Sequence, residues 1–251
     1  MARSKPSQQR RGVGPPLRGQ TALITGAGRG IGLAIARALA RQGSDLVLAG
    51  RNLAPLEKVG RELARQGIRV LAKVCDVRDP QSVKALAASI KKEFRRVDIL
   101  VNNAGIGHVS LPVSKLSYDA WKVVIDTNLT GVFLVTREIV PLMRRGSTVV
   151  NNLSIAATRV FAGSSAYNAS KHGALGLTNT LREELRPLGI RVIALLPGAT
   201  DTEIWNTLWP DAPRKKMMSP ETVARTLVSA LLLPADSTVE ELTIMPTSGA
   251  L

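Results

Sequence analysis

Seven short apolar runs separated by stretches of helical periodicity constrain this chain more than any other feature of its sequence. The runs fall at 21–25, 45–49, 69–74, 98–101, 148–153, 192–196 and 242–245, with helix-like segments such as 31–41 and 56–65 between them. A strand that is apolar along its whole length, and not only at every second residue, is buried on both faces. Alternation of such strands with helices covers both sides of a parallel sheet. The pattern predicts one α/β domain over 20–251, a doubly wound parallel sheet of about seven strands with helices on both faces. No internal repeat or second boundary interrupts it. Residues 1–19 read differently, because Arg3, Lys5, Arg10, Arg11 and Arg18 stand there without an acid and beside Pro15 and Pro16, which predicts a basic, disordered tail.

Charge and composition narrow the partners. The chain carries 34 basic against 19 acidic residues, a formal net charge of +15. Such an excess attracts nucleic acid, anionic surfaces or acidic small molecules. Aromatic residues are only 3% of the chain, too few for rows of stacking platforms, and no helix-turn-helix or zinc-finger pattern occurs, so no nucleic-acid partner is expected. The longest apolar runs are a few residues, far short of the ~20 that cross a bilayer, so no membrane association is expected. Cys75 is the only cysteine, and His108 and His172 are the only histidines, which excludes an intrachain disulfide and a Cys/His metal cluster. No signal-peptide pattern stands in the basic segment, and a reducing, cytoplasmic setting is the expectation.

Chemistry begins where the first run ends. Gly26-Ala27-Gly28-Arg29-Gly30-Ile31-Gly32 has the spacing G-x-x-x-G-x-G. Glycines there permit a tight strand-to-helix turn, let a pyrophosphate approach the backbone, and leave the helix N–H groups aimed at the anion. A turn that merely needs glycines has the same sequence. Further along, Tyr167 and Lys171 are four apart in a helical segment and share one face. Ser154 precedes Tyr167 by 13 residues and ends the fifth run. Asp76 follows the third run, Asn102-Asn103-Ala104-Gly105 the fourth, and Pro197-Gly198 the sixth, while Asn128 lies within one long helical stretch, 117–142.

Taken together these motifs closely resemble the short-chain dehydrogenase/reductase (SDR) family over essentially all of 20–251, with a layout similar to its 3-oxoacyl-thioester reductases. The resemblance implies a Rossmann fold and an NAD(P)-dependent oxidoreductase that interconverts C=O and CH–OH groups. It assigns Tyr167 as proton donor, Lys171 as the charge that lowers the phenol pKa and bonds the nicotinamide ribose, Ser154 as the group fixing the substrate oxygen, and Asn128 as the holder of a water that links the lysine to solvent. The chemistry agrees: a carbonyl that gains hydride at carbon gathers negative charge on oxygen and needs an acid beside it. An ammonium near a phenol of pKa ≈ 10 favours the phenolate.

By the same resemblance Gly26, Gly28, Arg29, Gly30, Ile31 and Gly32 cradle the cofactor phosphates. Asp76 and Val77 meet the adenine, and Asn103, Ala104 and Gly105 lie beneath its ribose. Pro197, Gly198, Thr200 and Thr202 contact the nicotinamide end. NAD sites carry an acid about 20 residues beyond the glycine turn. Gly50 stands there instead, followed by Arg51, and a pair of guanidinium groups from Arg29 and Arg51 suits a 2′-phosphate, so NADP(H) is favoured over NAD(H).

The substrate pocket is expected from Ile106, His108, Ala156, Phe161 and the segment 203–218, in which Ile204, Trp205, Leu208 and Trp209 form an apolar stripe suited to a flap. This favours an apolar ketone, including a 3-oxoacyl thioester, with an acidic acyl carrier as a partner by analogy alone. The resemblance also implies a homo-oligomer, a tetramer or a dimer, paired through the helices that hold Asn128 and Tyr167 to Lys171. Residues 117–142 offer more apolar positions than one core-facing stripe requires. Two alternatives stand beside the NADPH-dependent reductase: an NAD-dependent alcohol dehydrogenase of the same family, and a non-catalytic NADP-binding sensor or scaffold. A pure binder has no chemical need for Ser154 and Tyr167 together.

Overall fold

The computed structural model describes residues 15–234 and 236–249. Its strands are β1 (Thr21–Thr25), β2 (Asp45–Gly50), β3 (Val70–Val74), β4 (Ile99–Asn102), β5 (Thr148–Asn152), β6 (Arg191–Pro197) and β7 (Glu241–Ile244). All pair in parallel, in the order β3-β2-β1-β4-β5-β6-β7. Each run expected from the sequence is thus a strand to within a residue at either end. Leu23 in β1 aligns with Val47 in β2 and Leu100 in β4. The central strands β1 and β4 are buried throughout, whereas β7 alternates exposed and half-buried residues, as an outer strand with one covered side should.

Two helical layers cover the sheet. Helices α1 (Gly30–Arg41), α2 (Leu53–Ala64) and α8 (Pro220–Leu231) set Ile35, Leu39, Leu56, Leu63 and Leu227 against Ala22, Ile24, Leu46 and Leu48. On the opposite face α3 (Pro80–Glu93), α5 (Gly131–Ile139) and the end of α6 (Ser165–Leu185) pack Leu86, Ile90, Leu134, Ile139 and Leu185 against Leu23, Val47 and Leu100. The alternation of Ala22, Leu23 and Ile24 between the two cores is the period of two that a strand imposes. Side-chain caps start two of these helices: Asp79 accepts from the Gln81 amide at 2.9 Å and Ser219 from the Thr222 amide at 3.2 Å, each just before a proline. The strand order reverses between β1 and β4, and that crevice at the carboxyl ends is where an open α/β sheet binds ligands.

Two expectations need correction. The stretch 117–142 is not one regular helix: α4 (Tyr118–Ile125) passes through a π-helical turn at Asp126–Thr130 into α5. The wider turn interrupts the helix register, and its Asn128 is buried. The boundary at residue 19 is also wrong. Leu17 is buried in the α1 core, its N–H donates to Gln42 O at 2.9 Å, and Arg18 N donates to Pro15 O at 3.0 Å, so 15–19 belong to the packed body. One large apolar side chain in a basic stretch suffices to anchor it, because burying a leucine contributes roughly 1.5–3 kcal/mol. The rest of the expected tail, 1–14, lies outside the described residues. Among the described residues no helix is long and apolar enough to cross a membrane, and no group of three His, Cys, Asp or Glu could hold a metal ion.

Candidate active site

A cavity of about 1290 Å³ opens at the carboxyl ends of the strands. At one end it meets the glycine turn. Gly26 and Gly30 take the left-handed conformation, at φ +66° and +52°, and a Cβ on Gly32 would lie 2.4 Å from both Asn103 Nδ2 and Gly26 O. The first two glycines are therefore required by the backbone and the third by space. Arg29 occupies the N-cap position of α1, its side chain makes no capping bond, and no acid stands in the first turn. The positive end of α1 is left for an anion. Gly28, Arg29, Gly30 and Ile31 all line the cavity, as does Arg51 just beyond β2.

Asn103 does more for the sheet than for a ligand. Its Nδ2 donates to Thr25 O and Gly26 O at 2.9 and 3.2 Å, and its Oδ1 accepts from Asn152 Nδ2 at 2.8 Å. Thr25 Oγ1 accepts from the amides of Asn103 and Ala104. A second chain runs from Thr136 Oγ1 through Asn102 and Asn151 to Thr178 Oγ1, each bond 2.9 Å. Together these fix the ends of β1, β4 and β5. The sequence reading missed Asn151 and Asn152, although two consecutive amides closing an otherwise apolar buried run were the available signal.

Asp76 and Val77 line the cavity beyond β3, and Arg78 lines it beside them. The Arg78 guanidinium grips both Asp76 oxygens, at 2.6 to 3.1 Å, and holds that carboxyl below the usual carboxylate range against the opposing effect of burial. Pro197, Gly198, Thr200 and Thr202 line the opposite side, with Thr202 Cγ2 3.2 Å from where a Cβ on Gly30 would stand.

Ser154, Tyr167 and Lys171 all line the cavity, with Ser154 hydrogen-bonded to Tyr167. Ser154 follows β5 and its Oγ accepts from Ala156 N at 3.1 Å. Lys171 Nζ lies 5.6 Å from the Tyr167 ring centroid and donates to Asn152 O at 3.2 Å. Asn128 sits behind them: its Nδ2 donates to Ile106 O at 2.8 Å and Ser170 Oγ at 3.1 Å, and its Oδ1 accepts from Ile106 N at 2.9 Å. The amide thus braces the loop after β4 against α6. A Cβ on Gly105 would stand 3.4 Å from Asn128 Oδ1 and 3.7 Å from Lys171 Nζ, which makes Gly105 the point where these groups converge.

Protonation differs from the sequence expectation. Burial pushes the Tyr167 phenol up, opposed only by its hydrogen bond with Ser154. Lys171 Nζ, 5.6 Å from the ring centroid, is itself lowered by burial to about 8. Bringing a lysine from 10.5 to about 8 corresponds to roughly 3 kcal/mol of stability lost at neutral pH. Both folded and unfolded chains carry the proton below about 8, so the full penalty applies there; it fades as pH rises from about 8 to 10.5. Lys171→Met is accordingly expected to raise stability by about 1–3 kcal/mol at pH 7, with the gain disappearing near pH 10.5. Urea denaturation at both pH values checks this, and equal stability of the two proteins at pH 7 contradicts it.

Of the residues expected to form a substrate pocket, Ile106, Ala156 and Phe161 line the cavity. His108 does not. Its ring is buried with Nδ1 2.8 Å from Val109 O, and Ser110 takes the place in the wall. Of the segment 203–218, only 203–209 reach the cavity, with a short helix α7 (Trp205–Leu208) at the centre. Beyond it the chain turns away and Arg214 clamps the flap from outside, donating to Asp201 Oδ1, Thr202 O and Asn206 Oδ1 at 2.7 to 2.8 Å. Trp205 Nε1 anchors the flap from within by donating to Thr200 O at 2.9 Å.

A family model described as short chain dehydrogenase matches residues 20–213. Sepiapterin reductase of Chlorobaculum tepidum is 37% identical over 236 residues, covering 90% of this chain and 96% of that protein. Among solved structures, an alcohol dehydrogenase from the archaeon Thermococcus sibiricus, complexed with 5-hydroxy-NADP, superposes with a TM-score of 0.85 at 33% identity, covering 91% of this chain and 97% of that one. A 3-ketoacyl-(acyl-carrier-protein) reductase from Brucella melitensis, complexed with NADH, gives 0.83 at 30% identity, with 92% and 98% covered.

Proposed function

Because the chain belongs to the short-chain dehydrogenase/reductase family and is an NAD(P)-dependent oxidoreductase, we propose that it reduces an apolar ketone to a secondary alcohol with NADPH. The observation that carries this reading is the convergence of Ser154, Tyr167 and Lys171 on one wall of a cavity whose far end is the uncapped N-terminus of α1 flanked by Arg29 and Arg51. The glycine cradle, the free helix end and the two guanidinium groups fit a dinucleotide phosphate with a 2′-phosphate. When bound, NADPH supplies hydride to the carbonyl carbon.

The protein's own groups manage the oxygen. Ser154 Oγ accepts from Ala156 N, and its O–H, which bonds the Tyr167 oxygen when no substrate is present, turns to donate to the substrate oxygen. Burial keeps the Tyr167 hydroxyl protonated at neutral pH, so an acid stands ready where negative charge develops. Lys171, lowered to about 8, still carries its proton at pH 7 and places positive charge beside the phenolate that forms. Asn128 keeps the Ile106 loop and α6 in register around this group. Between Leu153 and Tyr167, and along 203–209, the only charged lining residue is Glu203, and that favours a neutral, apolar carbonyl compound over an anionic one. A 3-oxoacyl thioester falls in this class, and the net charge of +15 suits an acidic carrier.

Steady-state assays with diketones, β-ketoesters, aryl ketones and acyl thioesters test the reading. Ketone-dependent oxidation of NADPH supports it. Tight NADPH binding with no turnover on the whole panel overturns it in favour of a sensor or scaffold.

We also infer a homo-oligomer paired through α4, α5 and α6. Val124, Val132, Val135 and Ile139 face the core, which leaves Phe133, 46% exposed, and Tyr118, 73% exposed, on the outer side beside half-buried Trp121 and Ile125. Light scattering is expected to give a multiple of the 26.8 kDa chain mass, reduced by Phe133→Glu. A wild-type monomer contradicts this.

A further inference from the structure

We propose that Leu208 and Gly107 form a latch across the substrate end of the cavity, and that this pair sets the size of carbonyl substituent the site admits. The inference rests on the reductase reading for its substrate, but not for its geometry. A Cβ on Gly107 would stand 2.4 Å from Leu208 Cδ2 and 2.7 Å from its Cγ, so the leucine side chain lies directly on the glycine backbone. Both residues line the cavity. Gly107 does not take a positive φ, unlike Gly26 and Gly30, so its backbone conformation does not call for glycine. Space does: the missing side chain is the seat of Leu208.

The two halves of the latch come from separately fixed segments. Gly107 follows Ile106, whose N–H and C=O are both held by Asn128. Leu208 ends α7, and the flap that carries it is fastened by Trp205 Nε1 on Thr200 O and by Arg214 on Asp201, Thr202 and Asn206. With each side anchored, the leucine bridges flap and floor and bounds the room next to the reacting carbonyl. A pocket wall of this kind discriminates by tenfold or more for each methylene that it excludes or admits.

Three variants test the latch. Leu208→Ala removes the bar and is expected to raise the ratio of kcat/KM for a bulky aryl ketone to that for its methyl counterpart about tenfold. Gly107→Ala places a methyl where Leu208 sits, which pushes the flap outward; KM for ketone is expected to rise about tenfold with NADPH Kd unchanged. In Gly107→Ala/Leu208→Ala the collision is gone, and KM returns toward that of Leu208→Ala. The flap itself is read without turnover, by hydrogen exchange of 203–209 and fluorescence of Trp205 and Trp209: faster exchange in Gly107→Ala and recovery in the double variant are expected. Absence of any ketone turnover in the wild-type protein defeats the reductase reading, while the exchange data still decide the latch. Additive effects of the two substitutions on KM and on exchange overturn it, as does an unchanged size preference in Leu208→Ala.

Discussion

Tyr167→Phe is expected to lower kcat by about 10²–10⁴-fold, the contribution of a positioned general acid, while leaving the NADPH dissociation constant within about twofold of the wild type. The substitution keeps the ring that packs beneath Lys171 and deletes only the hydroxyl, so folding and the glycine-turn end of the cavity are expected to be undisturbed. Ser154→Ala should act through the same oxygen. Because both groups serve one developing charge, the double variant is expected to be little worse than Tyr167→Phe alone. More than about a tenth of wild-type kcat in Tyr167→Phe removes the phenol from the mechanism. A loss of NADPH binding in parallel with kcat would mean that the substitution collapsed the site.

The second large effect concerns the cofactor. A hydrogen bond to a charged group contributes about 1.5–3 kcal/mol, so Arg51→Ala is expected to weaken NADPH about tenfold or more and NADH hardly at all. Adding Gly50→Asp should invert the preference, since a carboxylate accepts from a ribose 2′-OH and repels a 2′-phosphate. The position tolerates the change: its φ is ordinary and a Cβ there would stand 3.6 Å from Leu56, a normal contact. Rising salt should narrow the NADPH advantage of the wild type because Arg51 is exposed and its attraction is screened. Titration by cofactor fluorescence settles both points, and tighter binding of NADH than NADPH by the wild type contradicts the assignment.

The sheet was legible because its signal is local. Runs such as 21–25 and 45–49 are buried on both sides, and their shortness between turn residues and longer helical stretches marks them as strands. The site was legible where its residues cluster along the chain, as Tyr167 and Lys171 do within one helical turn. What escaped was written across long separations. The bonds that join Asn103 to Thr25 and Gly26 and to Asn152 span 49 to 78 residues, and no window of sequence shows them. Arg78 and Arg214 carried no signal in the sequence because their partners, Asp76 on one side and the flap on the other, depend on how two loops turn. The π-helical turn at Asn128 keeps the apolar periodicity of a regular helix on either side and so left no mark. Leu17 was read with its basic neighbours, not with the α1 core it joins. The direction of the Tyr167 shift was misjudged for a related reason: spacing gives the distance to Lys171, but only packing tells how strongly burial opposes the charge.

A single-turnover experiment decides whether Tyr167 delivers the proton in an NADPH-dependent carbonyl reduction. Wild type and Tyr167→Phe, each saturated with NADPH, are mixed with a ketone found to be turned over, and the decay of the reduced nicotinamide absorbance is followed over a single turnover. Rapid ketone-dependent decay in the wild type and decay slowed by about 10²-fold or more in Tyr167→Phe is the expected result. Equal rates in the two proteins, with NADPH bound in both, would contradict it.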